Sequence, residues 1–191
     1  SFVTCTGSPH RSAFMANNAA HPTETSHNIF QGNIVTHQYL FQVLYPKLAE
    51  RQMRSERRGA VLFTSSDLSF HIIPGPVHPA TKAYIGHLGE CLATEAEHFD
   101  IDVVSVYPGL TNTLFRKREM DIKLPPIVEK LMQNQEKVAG SALSGLDRVT
   151  RVDSEVQVLT FRIIMNLIDA NIFIKIVSKI YSSVWKKNKN D

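Results

Sequence analysis

Apolar positions in this chain follow two alternating rhythms. Three runs are short, β-branched or aromatic, and closed by Gly, Ser or Pro: "SFVTCTG" (1–7), "GAVLFTSS" (59–66) and "DIDVVSVYPG" (100–109). Each predicts a strand, and a run without polar alternation predicts one covered on both faces. Between them, apolar residues return every three to five positions. Ile29, Val35, Leu40, Val43, Leu44 and Leu48 predict a long helix from Asn28 into the charged "ERQMRSERR", with Pro46 kinking it or opening its last turn. "PATKAYIGHLGECLATEAEHF" (79–99) predicts a second helix, with Pro79 in the first turn, where its missing N–H is no loss. The polar stretch 8–27 predicts a loop with at most one helical turn. Further on, a helix is predicted from about Ile127, "SEVQVLT" (154–160) as a last strand, and "FRIIMNLIDANIFIKIVSKIYSSVW" (161–185) as one mostly apolar helix.

Strands alternating with helices of this length predict an α/β fold, a parallel sheet joined by right-handed crossovers and flanked by helices. In such sheets functional groups gather beyond the carboxyl ends of the strands. "TCTGS", "TSSD" and "YPGLTNT" therefore share one rim, and His78, at the start of the helix after the second strand, joins them. His78 and Lys82 stand four apart, which places both on one helix face. A polar helix start is the plain alternative for this pair.

Composition narrows the class. With 43% apolar and 20% charged residues in 191, the chain is long and apolar enough for one globular core. The basic clusters "RQMRSERR" (51–58) and "KKNK" (186–189) carry no interleaved aromatic residues, so no nucleic-acid platform is expected. The two cysteines, Cys5 and Cys91, predict no disulfide framework. His10, His21, His27 and His37 lack metal-ligand spacing, and no metal site is expected.

Taken together, "RRGAVLFTSS", "HPATKAY" and "PGLTNT" resemble, in order, three motifs of the short-chain dehydrogenase/reductase family. The resemblance implies a Rossmann-type sheet. Ser66 takes the catalytic serine position, twelve residues before His78 and one short of the family's usual spacing. Lys82 takes the lysine of Y-x-x-x-K, binding the cofactor ribose, and Asn33 the helix asparagine that holds a proton-relay water. Pro108, Gly109 and Thr113 match the P-G-x-x-x-T loop, with Thr113 at the nicotinamide amide; capping of the next segment is its alternative role. Gly7 is what remains of the N-N-A-G segment. The implied cofactor is NADP(H) and the implied substrate a hydrophobic carbonyl, a fatty acyl-CoA or a steroid. The phrasing is most similar to the 17β-hydroxysteroid dehydrogenase type 12 and very-long-chain 3-oxoacyl-CoA reductase branch. That branch implies the endoplasmic reticulum, with which Lys187 and Lys189 near the C-terminus agree.

Two departures shape the expectation. The nine glycines include no T-G-x-x-x-G-x-G turn for a pyrophosphate, so the first strands and that turn are read as absent. Residues 1–150 would form the C-terminal half of the reductase domain, and 151–191 a strand, an apolar helix and a basic tail. Secondly, His78 stands where the family places a tyrosine acid. Burial beside Lys82 would keep its imidazole neutral, and weaker proton donation predicts low or no activity. An inactive member serving as a scaffold is the other reading, pairing as a homodimer through helices 28–50 and 78–98. The helix 161–185 is interrupted by Arg162, Asp169 and Lys175, too often for a membrane span; peripheral membrane contact is the alternative to a cover for the sheet.

Overall fold

The computed structural model describes residues 4–5, 23–55, 58–72, 77–112 and 132–188. Four parallel strands make one sheet in the order β1 (Thr4–Cys5), β2 (Gly59–Thr64), β3 (Ile101–Tyr107) and β4 (Arg151–Asp153). The register sets Leu62 opposite Val104 and Tyr107 opposite Asp153. The described α-helices are α1 (Thr23–Phe30), α2 (Thr36–Ser55), α3 (Val77–Ala96), α4 (Gln135–Ser144), α5 (Val156–Leu167) and α6 (Ala170–Asn188). The parallel sheet expected from the apolar runs is present, in the Rossmann-type arrangement that the resemblance implies.

The buried positions of β2 and β3 are apolar except for Ser105, because both faces are covered. Val61, Phe63, Ile101 and Val103 pack on one face against Leu48 and Ala49 of α2 and Ile85, Ala93 and Ala96 of α3. Leu62, Val104, Val106 and Val152 form the opposite face, against Ala142 of α4 and Leu146. Each such side chain contributes about 1.5–3 kcal/mol on burial. At the amino ends of the strands, Arg58 pairs with Asp100 at 2.9 Å, with Asp102 at 3.0 Å and with Asp147. A groove lined in part by these residues opens there and extends to Asp153 and Arg162.

Four expectations need correction. Helix α1 starts at Thr23, inside the stretch read as loop, and a π-helical turn, Gln31–Val35, joins it to α2. Met132–Asn134 is not helical: Gln133 bridges Thr111, and α4 starts at Gln135 behind the cap Asn134, so the helix expected from Ile127 does not run unbroken through these residues; 127–131 lie outside the described residues. "SEVQVLT" is not a strand. β4 ends at Asp153 and α5 begins at Val156, because Val156, Leu159, Ile163 and Leu167 continue a helical rather than a two-residue period. Finally, the single helix 161–185 is two helices, parted at Asp169, whose carboxylate accepts from the Asn171 amide at 2.9 Å and caps α6. Helix α2 continues through Pro46 to Ser55.

Candidate functional site

The rim is assembled at the carboxyl ends of β2 and β3, where parallel pairing brings two loops side by side. Ser65 N–H donates to the Val106 carbonyl and Asp67 N–H to the Pro108 carbonyl, at 2.8 and 2.9 Å. Helix α3 then returns across β2 with His78 and Pro79 in its first turn.

Lys82 is buried, yet its ammonium is solvated by protein: Nζ donates to the Thr64 carbonyl at 2.8 Å. The adjacent Ser65 hydroxyl donates to the Lys82 carbonyl at 2.6 Å. Strand end and helix are thus cross-linked around the lysine. His78 is also buried, and burial, reinforced by the Lys82 charge, pushes its imidazole down to about 4. The neutral imidazole expected from sequence follows, with desolvation as the larger cause.

Asn33 is fully buried in the π-helical turn. Its Nδ2 donates to Thr81 Oγ1 at 2.8 Å, and Thr81 Oγ1 donates to the His78 carbonyl at 2.9 Å. Asn33 and His78 are therefore linked through one hydroxyl. Asn33 Oδ1 is buried without a partner among the described residues, an acceptor aimed inward and suited to a small donor. Thr81→Val, close in shape, would leave the Asn33 amide unsatisfied. It should cost about 1–3 kcal/mol in urea unfolding, with Thr81→Ser restoring most of the loss; equal stability of all three proteins would refute the link.

Ser66 is half-buried with extended backbone. Its Oγ accepts from the Leu68 amide at 3.2 Å, capping a short 3₁₀ turn (Asp67–Phe70), and donates to Asp67 Oδ1 at 3.1 Å. Burial raises the Asp67 carboxyl, against the hydrogen bonds it accepts. Gly109 N–H is shared by Gln133 Oε1 at 3.1 Å and Ser154 Oγ at 3.4 Å. Ser154 Oγ also donates to Gln133 Oε1 at 2.6 Å, so the Pro108–Gly109 corner is held by residues from far along the chain.

Asn33 is thus joined to the His78 backbone through Thr81, and Lys82 to the end of β2, while the Ser66 hydroxyl is engaged within its own turn by Asp67 and Leu68; Pro108 and Gly109 follow the neighbouring strand β3. Gly7 and Thr113 lie outside the described residues. Of the positions expected to hold a nicotinamide cofactor, Lys82 has the chemistry of a ribose ligand, an ammonium carrying N–H donors only, held by the Thr64 carbonyl at the end of β2. The Gly109 amide does not add to the fit, since Gln133 and Ser154 engage it. Sequence reasoning did not single out Ser65, Thr81, Gln133 or Ser154. Thr81 had a signal, a hydroxyl three residues after His78 able to bond back to its carbonyl; Gln133 and Ser154 had none.

The family model described as short chain dehydrogenase matches residues 3–122. Among solved structures, the chain is similar to a 7β-hydroxysteroid dehydrogenase studied for its stereoselectivity, at 20% identity and TM-score 0.78, covering 93% of this chain and 66% of that one. A 3-ketoacyl-(acyl-carrier-protein) reductase from Brucella melitensis complexed with NADH is similar at 16% identity and TM-score 0.68, covering 80% and 64%. A short-chain dehydrogenase from Sphingobium yanoikuyae in complex with NADPH gives 20% identity and TM-score 0.66, covering 86% and 61%. The chain spans less than two thirds of the length of each of these structures. No curated protein matches it.

Proposed function

Because the chain belongs to the short-chain dehydrogenase family, we propose that its site is that of an NADP(H)-dependent carbonyl reductase in which turnover is low or absent. What supports this reading is His78, whose imidazole burial beside Lys82 keeps neutral, and which the resemblance sets at the family's tyrosine position. In the lineage, a bound nicotinamide supplies hydride. The chain's own residues would do the rest: the Ser66 hydroxyl, turned from Asp67, would hold the carbonyl oxygen, Lys82 would bind ribose hydroxyls, and Asn33 would order the proton relay through its buried acceptor. His78 can donate only from a neutral ring, a much weaker acid than its imidazolium.

The substrate class is a hydrophobic carbonyl, a 3-oxoacyl thioester or a steroid ketone, as in the 17β-hydroxysteroid dehydrogenase type 12 and 3-oxoacyl-CoA reductase branch. The names of the similar structures, a hydroxysteroid dehydrogenase and a ketoacyl reductase, support that class. Residence at the endoplasmic reticulum belongs to the same reading, resting on the branch alone.

A poorly matched acid costs on the order of 10²–10⁴ in rate. In the full-length polypeptide, His78→Tyr should therefore raise NADPH consumption on a 3-oxoacyl-CoA or 17-ketosteroid by roughly 10²-fold. No gain, with cofactor binding demonstrated, would refute the assignment of His78. It would favour the second reading, an inactive scaffold, for which the exposed Tyr39 and Val43 of α2 offer a pairing face between copies through helices 28–50 and 78–98.

A further inference from the structure

The two C-terminal helices expose a density of apolar side chains that the sheet core does not use. On α5, Val156, Leu159, Ile163 and Leu167 recur along one line, and Leu167 is 80% exposed. On α6, Ile172, Ile176 and Ile180 form a row at four-residue steps, exposed at 56, 47 and 60%. The neighbouring row, Phe173 and Val177, is half-buried. The isoleucine row is thus the outward apolar face.

Helix α5 is fixed to the body. Arg162 grips Asp153 of β4 with two bonds of 3.1 and 2.6 Å, and Phe161 stacks on His71 with ring centroids 4.1 Å apart. Both helices follow β4, the sheet edge opposite β1.

Charge decides what fits this face. From Ala170 to Asn188 the sequence carries Lys175, Lys179, Lys186 and Lys187 and no acidic residue. Lys175 and Lys179 are exposed, and at 100° per residue their row runs along the isoleucine row on the side away from Phe173. Lysine is depleted from protein–protein interfaces. An apolar row edged by lysines instead suits lipid, with acyl chains against isoleucine and anionic headgroups against ammonium. No helix among the described residues is long and apolar enough to cross a membrane, so the helix would lie in the interface plane.

We propose that α5 and α6 form a docking surface for an anionic lipid bilayer. The inference does not rest on the reductase reading, and its test uses no substrate.

The full chain is mixed with phosphatidylcholine vesicles, with or without phosphatidylserine, and followed by co-flotation and by the emission of Trp185, its single tryptophan. Binding to the phosphatidylserine vesicles with a blue shift is expected, weakening as salt rises. A lysine near an anionic surface is worth about fivefold in partitioning, so Lys175→Gln with Lys179→Gln should lower it about 25-fold. Ile172→Ser with Ile176→Ser should abolish it. These side chains are exposed, and unchanged thermal midpoints would show that the variants fold. Three results would each overturn the proposal: no binding to phosphatidylserine vesicles, equal binding to both vesicle types unaffected by the lysine changes, or a dimer dissociated by the isoleucine changes with vesicles ignored.

Discussion

Acidification from pH 7 to pH 4 should remove about 3 kcal/mol of folding stability through His78 alone. The ring titrates near 6.5 when unfolded and at about 4 when folded, and each pH unit between them is worth about 1.4 kcal/mol. The folded state takes up this proton less readily than the unfolded chain, so stability rises with pH across the window. The contribution is complete above about pH 6.5 and is lost progressively towards pH 4. His71, also lowered by burial, acts in the same direction, and Asp67, raised by burial, acts against it. The measurement is therefore the difference in urea-unfolding free energy between the parent and His78→Gln at several pH values, which cancels those groups. Two curves that stay parallel from pH 7 to 4 would show that His78 is not buried beside Lys82.

Gly86→Val should destabilise the fold by about 3 kcal/mol. The helix approaches β3 through Gly86 and Gly89, and Ser105 Oγ donates to the Gly86 carbonyl at 2.9 Å. A Cβ on Gly86 would run into the Tyr107 hydroxyl and lie 2.8 Å from its Cζ and 2.9 Å from Ser65 Oγ. The phenol cannot swing away cheaply. Its hydroxyl donates to Glu90 at 2.7 Å, and the Arg151 guanidinium, itself paired with Glu90 at 3.0 Å, lies 4.1 Å above the ring. Gly140 in α4 is the control, since a Cβ there meets nothing within 4 Å. Gly140→Ala should be neutral or stabilising by up to about 1 kcal/mol, because only the helix propensity changes. Similar urea midpoints for Gly86→Val and the parent would contradict the close packing of α3 on the sheet.

What could be read without coordinates depended on how local the cause was. β2 and β3 were legible because burial on both faces leaves unbroken runs such as "AVLF" and "VVSVY", and α3 because Pro79 marks its first turn. "SEVQVLT" misled because seven residues with alternating Val suit a strand, while the stripe that makes α5 a helix extends to Leu167, beyond that window. Asp169 looked like a flaw in one long helix. Its carboxylate caps a second one, and nothing short of the backbone path distinguishes those roles. At the site, the His78–Lys82 pairing needed only helix geometry and was visible. The paired serines were less so: counting favoured Ser66, yet Ser65 is the one that bonds the backbone of Lys82. The Arg151–Tyr107 stack and the Gln133–Ser154 grip on Gly109 depend on β4 pairing with β3, a contact between distant segments that no local pattern announces.

That same strand arrangement governs how the protein must reach its native state. Thr4 pairs with Leu62, Leu62 with Val104, and Val106 with Val152; no neighbouring pair of described strands is a hairpin. Every rung of the sheet waits for a crossover to close, and the entropy of closure is spent before the rung returns anything. Contacts of such high order place folding on the slow side for a chain this size, leaving the apolar edges of β2 and β3 open to other molecules for as long as the crossovers take to form.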